Sequence, residues 1–439
     1  MIKTFTKAGS KQVPMVNIGL IGLGTVGSGV LKIIEAERAA IEDRAGVRLV
    51  LKRVCDKFLS KERQKKLPKG LFTRQADEVL NDPEINILVE LIGGIHPARE
   101  IILSAFAQGK HVVTANKALL AEQGDAIFLA AARQGRLLGF EASVCGAIPI
   151  IQAVRQGLAS NNVSHFLGIV NGTCNYILTQ MSQKGVELDV ALEDAQKKGY
   201  AERNPKLDIG GFDSAHKLAV LARQAFQASV DYKAVSIEGI ENLSARDIEY
   251  ARGLGYVVKL LAVGKKLPKG LELRVHPTLL ASSHPLATVN DVYNAVFVHA
   301  DQAGDLLFYG KGAGMLPAAS AVMADVIEIA RCAAYGGPRS MLEKVKEQPV
   351  LPTERIVSRY YLRFQAVDRP GVLGMIARTL GENGISILSV HQKEPHNLKS
   401  VPVVILTHRA PEKNLRKALA FIDRQKAIAE PTVVLRVEG

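Results

Sequence analysis

Two groups of residues have the types and spacing for chemistry. Gly22-Leu23-Gly24-Thr25-Val26-Gly27 fits GxGxxG, directly after the apolar run Val16–Ile21 and at the opening of a helical pattern. In that context the first glycine permits a tight turn, the second lets backbone approach a pyrophosphate, and the third lets helix pack on strand. The helix N-terminus then faces the phosphates. The second group centres on Asp213 and Lys217, spaced i, i+4 and so on one helix face. That helix continues as Leu218-Ala219-Val220-Leu221-Ala222, apolar enough to be buried. A lysine at the start of such a helix, beside a cleft, is partly desolvated, which lowers its pKa and suits it to proton transfer. An ordinary surface ion pair is the plain alternative. Glu202, Asp208 and Asp213 share a segment with Gly199, Pro205, Gly210 and Gly211. Such carboxylates bind an amino group or a metal, or are simply solvated.

A second β-rich run ends at Arg53-Val54-Cys55-Asp56-Lys57. An acid here binds the ribose hydroxyls of NAD, whereas Arg53 or Lys57 would take the 2′-phosphate of NADP. Asp56 comes about 30 positions after the glycines, later than the usual ~20, as a long first helix would cause. The two flanking cations favour NADP, and NAD stays open.

The elements that must hold these groups follow from periodicity. Strand-like runs (Val16–Ile21, Val47–Cys55, Ile87–Ile92, His111–Thr114) alternate with helical ones (Thr25–Ala40, Pro97–Gln108, Leu119–Arg133), which predicts a Rossmann-type doubly wound parallel sheet over residues 1–150. Longer helices then alternate with β-rich stretches, predicting a second, α+β domain over 151–307 that carries the Asp213–Lys217 group. Residues 308–350 are expected to pack back onto the first domain, with Gly312 and Gly314 opening its helix. Lys344 to Arg355, with two prolines and many charges, reads as a linker, and residues 1–15 as a loose tail. Residues 355–439 show a βαββαβ pattern, in which Asp368-Arg369-Pro370-Gly371 opens the first helix.

Bulk properties narrow the function. The 439 residues carry a formal charge of +13 with no tryptophan and few aromatics. That suits a solvated basic surface or an anionic ligand. Base stacking is disfavoured, and the densest basic cluster, Lys57–Lys69, is broken by Glu62 and Pro68, so no nucleic-acid partner is expected. The four cysteines, Cys55, Cys145, Cys174 and Cys332, form no CxxC pair, which disfavours zinc and redox dithiols and fits a reducing cytoplasm. No run of 18 apolar residues occurs, so no membrane association is expected.

Three further segments, Glu90-Leu91-Ile92-Gly93-Gly94, Val113-Thr114-Ala115-Asn116-Lys117 and Gly199-Tyr200-Ala201-Glu202 leading to Asp208, Asp213 and Lys217, complete a set. With the glycine loop and Gly312-Ala313-Gly314, it closely resembles the homoserine dehydrogenase family over nearly the whole chain. The resemblance implies a hydride transfer between NADP(H) or NAD(H) and L-aspartate 4-semialdehyde, giving L-homoserine. It implies Lys217 as proton donor, Lys117 near the reacting carbon and the nicotinamide, and Asp213 orienting Lys217. Glu202 would bind the substrate ammonium, and Asp208, Tyr200 and Thr173 would complete the pocket. Gly22, Gly24, Thr25, Val26, Gly27, Arg53, Lys57, Lys117, Gly312 and Gly314 would meet the cofactor. Glu141-Ala142-Ser143-Val144-Cys145-Gly146-Ala147-Ile148-Pro149 is similar to the family's monovalent-cation loop, with sodium on the carbonyls of Glu141, Val144, Gly146 and Ile148. A structural hinge is the other reading of that loop.

The C-terminal pattern resembles an ACT domain, whose paired copies often bind small amino acids. Threonine is the expected effector, and a homodimer or homotetramer the expected assembly. Two rival readings stand beside this one. A phosphorylating semialdehyde dehydrogenase needs a catalytic cysteine, for which Cys145 is the candidate. An amino-acid sensor would carry an inactive dinucleotide fold.

Overall fold

The apolar runs of the first 150 residues become strands of one sheet in the computed structural model, which describes residues 13–337, 345–392 and 400–438. Positions 1–12 of the expected tail and Lys344 of the expected linker lie outside the described residues. The chain divides into two compact units, one from residues up to 151 plus those from 313 to 344, the other from 152–312 plus 345 onward.

In the first unit, β1 (Met15–Ile21), β2 (Arg48–Cys55), β3 (Phe72–Thr73), β4 (Ile87–Glu90), β5 (His111–Thr114) and β6 (Leu138–Gly139) lie in the order β3-β2-β1-β4-β5-β6. All pairings are parallel. Strands covered on both faces read as continuous apolar runs, and β4 is buried at all four positions. Strand order reverses between β1 and β4, which places a ligand crevice at the carboxyl ends of those two strands. The helix Met315–Tyr335 belongs to this unit and buries Ala319, Val322, Met323, Val326, Ile329 and Ala330 in its core. Gly29 lets it come close: a Cβ there would lie 2.8 Å from that of Ala319. The helix expected over Thr25–Ala40 is two, Thr25–Ala36 and Arg38–Ala45, split at Glu37.

The second unit is built on β7 (Val163–Ile169), β8 (Ala228–Ser229), β9 (Ser236–Ile237), β10 (Tyr256–Leu267), β11 (Gly270–Ala281), β12 (Tyr293–Ala300) and β13 (Gly304–Lys311). Its later strands are β14 (Lys346–Glu347), β15 (Val357–Ala366), β16 (Ile387–Gln392), β17 (Val401–Thr407), β18 (Ala410–Pro411) and β19 (Ile428–Glu438). Nine of them form one path, β13-β12-β7-β10-β11-β19-β15-β17-β16. The joint is a parallel pairing of Thr278–Leu280 with Arg436–Glu438. The C-terminal βαββαβ module therefore continues the catalytic sheet. Its own core gathers Tyr360, Leu362, Phe364, Ile376, Leu380, Ile405 and Leu415. Its first helix, Val372–Glu382, starts after Gly371 in the left-handed region, φ 91°, with no side-chain cap. Asp368 lies in the turn before it and is not the cap expected from the sequence.

Candidate active site

In the first unit the glycine loop closes the carboxyl end of β1. Gly22 has φ 100°, and a Cβ there would lie 2.7 Å from the Leu91 carbonyl group. A Cβ on Gly27 would overlap the Gly22 carbonyl oxygen. Gly24 occupies the helix N-cap without a side-chain cap, and Gly24 and Thr25 are exposed. The first N–H groups of the helix, with Thr25 and Val26 leading it, thus face outward as anion donors. Asp56 braces the glycine loop through one oxygen, which accepts from the Leu23 N–H at 2.7 Å, and its other oxygen accepts from the Phe58 N–H of its own turn at 2.8 Å. Arg53 is paired to Glu78 at 3.0 Å, while Lys57 is exposed. Arg63, which the sequence reading did not single out, donates to the Leu23 carbonyl at 2.8 Å and to Ser28 at 2.6 Å. It sits forty residues from Leu23 in sequence, so no local pattern marks it.

Across the switch point, Glu90 ends β4 fully buried. It accepts from Thr114 at 2.7 Å and from the Ile92 N–H at 2.8 Å. Burial pushes the Glu90 carboxyl above its ordinary range, against the pull of these hydrogen bonds. Thr114 accepts from the Asn116 N–H, and Asn116 caps the next helix through the Leu119 N–H at 3.1 Å. That cap starts the helix at Lys117, two residues earlier than expected, and fixes Lys117 in its first turn.

Glu141 is buried, its N–H donating to Asp325 at 2.8 Å and its carboxylate accepting from the Ile151 N–H at 2.8 Å. Cys145 and Gly146 are both left-handed, φ 56° and 55°, which turns successive carbonyls of this buried segment. The Glu141 and Ile148 carbonyls accept from the N–H groups of Val144 and Ile150. Burial raises the thiols of Cys55, to about 11, and of Cys174 and Cys332, and Cys145 is buried. A thiolate nucleophile needs the opposite environment.

In the second unit Asp213 and Lys217 lie in the first turns of the helix Phe212–Phe226 and pair at 2.7 Å. Both side chains are nearly buried, 10% and 13% exposed, which excludes the reading as an ordinary surface pair. The Lys217 ammonium also donates to the Val170 carbonyl at 2.7 Å. Asn171 Nδ2 donates to Asp208 at 2.7 Å and Asp213 at 2.8 Å, while its Oδ1 caps the helix Gly172–Lys184 through the Cys174 N–H. Thr173 donates to the Tyr200 carbonyl at 2.7 Å. Tyr200 is 44% exposed and packs edge-on against Tyr176. Glu202 is exposed two residues further on. The structure thus ties Asp208 and Asp213, and through Asp213 also Lys217, to one residue, Asn171, that the sequence reading left out, and ties Thr173 to Tyr200. Gly312 ends this unit's part of the chain, where a Cβ would overlap the Asn294 amide. Gly314, φ 126°, is the uncapped N-cap of the helix Met315–Tyr335 in the first unit.

A glycine cradle at the switch point of a parallel sheet and a buried acid–lysine pair on a helix packed against a second, mixed sheet are the parts of a dinucleotide-dependent oxidoreductase. Comparison with known proteins narrows that class. The profile described as "Homoserine dehydrogenase, NAD binding domain" matches residues 22–141, "Homoserine dehydrogenase" matches 149–327, and "ACT domain" matches 360–424. Homoserine dehydrogenase of Neisseria gonorrhoeae is 44% identical over 97% of this chain and 99% of its own. The solved homoserine dehydrogenase of Thiobacillus denitrificans superposes with a TM-score of 0.92 at 42% identity, covering 97% of this chain and 98% of the other. That of Staphylococcus aureus gives 0.77 at 34% identity, covering 97% and 99%. The chain belongs to the homoserine dehydrogenase family, with a C-terminal ACT domain.

Proposed function

We propose that the enzyme reduces L-aspartate 4-semialdehyde reversibly to L-homoserine with Lys217 as the proton donor, and that threonine regulates it through the ACT domain. The observation that carries the first part is the buried Asp213–Lys217 pair, with Lys217 aimed by the Val170 carbonyl and Asp213 held by Asn171. When bound, the nicotinamide supplies the hydride. Lys217 gives a proton to the aldehyde oxygen as negative charge develops there, and takes it back from the alcohol in reverse. Asp213 orients Lys217. Glu202 holds the substrate ammonium, and Asp208, Tyr200 and Thr173 complete the pocket. Lys117, fixed by its cap, serves the reacting carbon and the nicotinamide.

The glycine loop fits a dinucleotide: a side chain at Gly22 or Gly27 has no room, and the helix N-terminus behind it is open. Gly22, Gly24, Thr25, Val26 and Gly27 would hold the pyrophosphate, with Gly312 and Gly314 lining the cofactor. NADP is favoured over NAD, because both Asp56 oxygens are engaged by backbone while Lys57 and Arg63 offer cations nearby. Arg53, already paired with Glu78, is a weaker phosphate ligand than the sequence alone suggests. The carbonyls of Glu141, Val144, Gly146 and Ile148 are hard, neutral donors that suit sodium, in a segment whose left-handed turn supports the assignment. The domain bounds 1–150 with 308–350, 151–307 and 355–439, a homodimer or homotetramer, and a cytoplasmic location belong to the same reading. Lys217→Ala tests it. Turnover should fall by ~10²-fold or more, the usual worth of a positioned acid–base group, while NADPH still binds by fluorescence titration. Unchanged turnover removes Lys217 from the mechanism.

A further inference from the structure

A cavity of about 660 Å³ opens on the continuous sheet of the second unit, and none of the candidate active-site residues lines it. Its size lies in the range of small-ligand pockets, ~300–1,000 Å³. The sheet register explains its floor. Asp305 on β13 faces His299 on β12, His299 faces His165 on β7, and His165 faces Lys265 on β10. Residues opposite one another across strands project to the same face. The His165 and His299 rings stack accordingly, with centroids 5.1 Å apart. The next row on that face is apolar, Leu167 opposite Phe297. The facing wall comes from the C-terminal module: Val357, Ser358 and Arg359 at the start of β15, Arg409 before β18, and Val437 and Glu438 at the end of β19.

The charges within this cavity are unequally satisfied. Asp305 accepts from His299 at 2.6 Å, and Glu438 is paired to Lys265 at 2.8 Å and to the buried Arg274. Burial pushes the His165 and His284 imidazoles below their ordinary range, joined for His165 by His299 and Lys265 beside it. Arg409 is exposed and has no ionic partner among the described residues. Guanidinium groups bind carboxylates in paired hydrogen bonds. The cavity therefore offers Arg409 for a carboxylate, the Asp305 carboxylate for an ammonium, and Leu167, Phe297 and Val357 for a short side chain.

We propose that this cavity, where the ACT module joins the catalytic sheet, binds a small α-amino acid by its carboxylate and is the effector site of the enzyme. The assignment rests on the regulatory reading given above. The floor also reaches the active site through one strand. β7 carries His165 and Leu167 and leads directly into Val170 and Asn171, which position Lys217 and Asp213. From His165 to Val170 is five residues, roughly 17 Å of extended chain.

The chain has no tryptophan, so Val357→Trp, at a position half exposed on the cavity wall, places a single reporter there. The full-length variant is titrated with L-threonine, L-isoleucine, L-methionine and L-serine, with L-threoninamide as the probe lacking a carboxylate. Homoserine oxidation is measured alongside in the wild type and in Arg409→Gln. The expected result is that one amino acid inhibits the wild type and shifts the reporter's emission, while the amide does neither. Arg409→Gln then raises the half-saturating concentration at least tenfold, leaves turnover without effector unchanged, and loses binding by calorimetry. An amino acid that inhibits wild type and Arg409→Gln equally and leaves the reporter silent overturns the cavity assignment while the regulatory reading stands. A shifted reporter without inhibition supports binding in the cavity but removes regulation. Neither binding nor inhibition by any of the four overturns both.

Discussion

Lys217 donates to the Val170 carbonyl and to Asp213, and Asn171 ties Asp213 to Asp208. Two carboxylates so close repel each other, and the Asn171 amide supplies the donors that let both face the same space. The same side chain caps the helix that begins at Gly172. The two duties are separable. Asn171→Asp keeps an acceptor for the cap but adds a third carboxylate, so turnover should fall about 10²-fold, the cost of a small misplacement, with NADPH affinity and Tm nearly unchanged. Asn171→Ala should lose turnover and also about 1 kcal/mol of stability with the cap. Equal turnover in all three proteins would remove Asn171 from the site. The acid–lysine pair was legible because its members lie one helical turn apart. Asn171 was not, because Asp208 and Asp213 are 37 and 42 residues away. The same distance in sequence hid Arg63 behind the more obvious Arg53 and Lys57.

At the scale of elements, the strand–helix alternation of the first 150 residues was readable because each parallel strand is apolar throughout and each connection returns as a helix. The glycine loop was readable for the same reason, since its strand and helix flank it directly. The helix Gly172–Lys184 escaped notice. Eight consecutive residues from Cys174 to Met181 are buried, so it lacks the one-sided stripe that marks a surface helix. Its polar residues are used internally. Asn175 accepts from Lys259 Nζ and donates to the carbonyls of Val289, Asp291 and Tyr293. Lys259 itself is 1% exposed, and burial, partly countered by Asp291, pushes its ammonium down to about 8. The unfolded chain, with an ordinary lysine near 10.5, binds more protons than the native one between these values. Native stability from this group therefore rises as pH goes from about 8 to 10.5, by about 3 kcal/mol in order of magnitude. Relative to Lys259→Met, the wild type should gain stability across that window in urea unfolding. Parallel curves would mean that Lys259 is solvated.

Over the whole molecule, the C-terminal module is less separable than its linker-like approach suggests. β19 completes the edge of β11, and a buried charge network crosses the joint. Arg274, 1% exposed, meets Glu438, and Arg436 meets Glu238 and Glu412 at 2.6–2.8 Å. Hydrogen bonds from Arg436 hold the Glu412 carboxyl below its usual range despite its burial. Asp247, fully buried, is bound by Arg363 at 2.6 Å and by Tyr361 at 3.1 Å. Removing one member of a buried pair costs about 3–5 kcal/mol. Deleting residues 355–439 takes the cation from buried Asp247, leaves Arg274 with Glu272 as its carboxylate partner, and opens the β11 edge. A freely separable module would leave the rest of the chain intact. The structure predicts instead a truncated protein of lower Tm that associates on size exclusion, whereas a monodisperse fragment of unchanged Tm would show the joint to be dispensable. A pairing between strands more than 150 residues apart leaves no local pattern, which is why the module's fold was legible and its attachment was not.

The central claim is that these two units oxidise and reduce one small amino alcohol. Its most direct test follows the absorbance of reduced nicotinamide while the folded, full-length protein is given L-homoserine with NADP or NAD, with and without L-threonine. The account predicts turnover, faster with NADP, slowed by threonine, and lost in Lys217→Ala. Folded protein that turns over homoserine with neither cofactor would contradict it and favour an amino-acid sensor with an inactive dinucleotide fold.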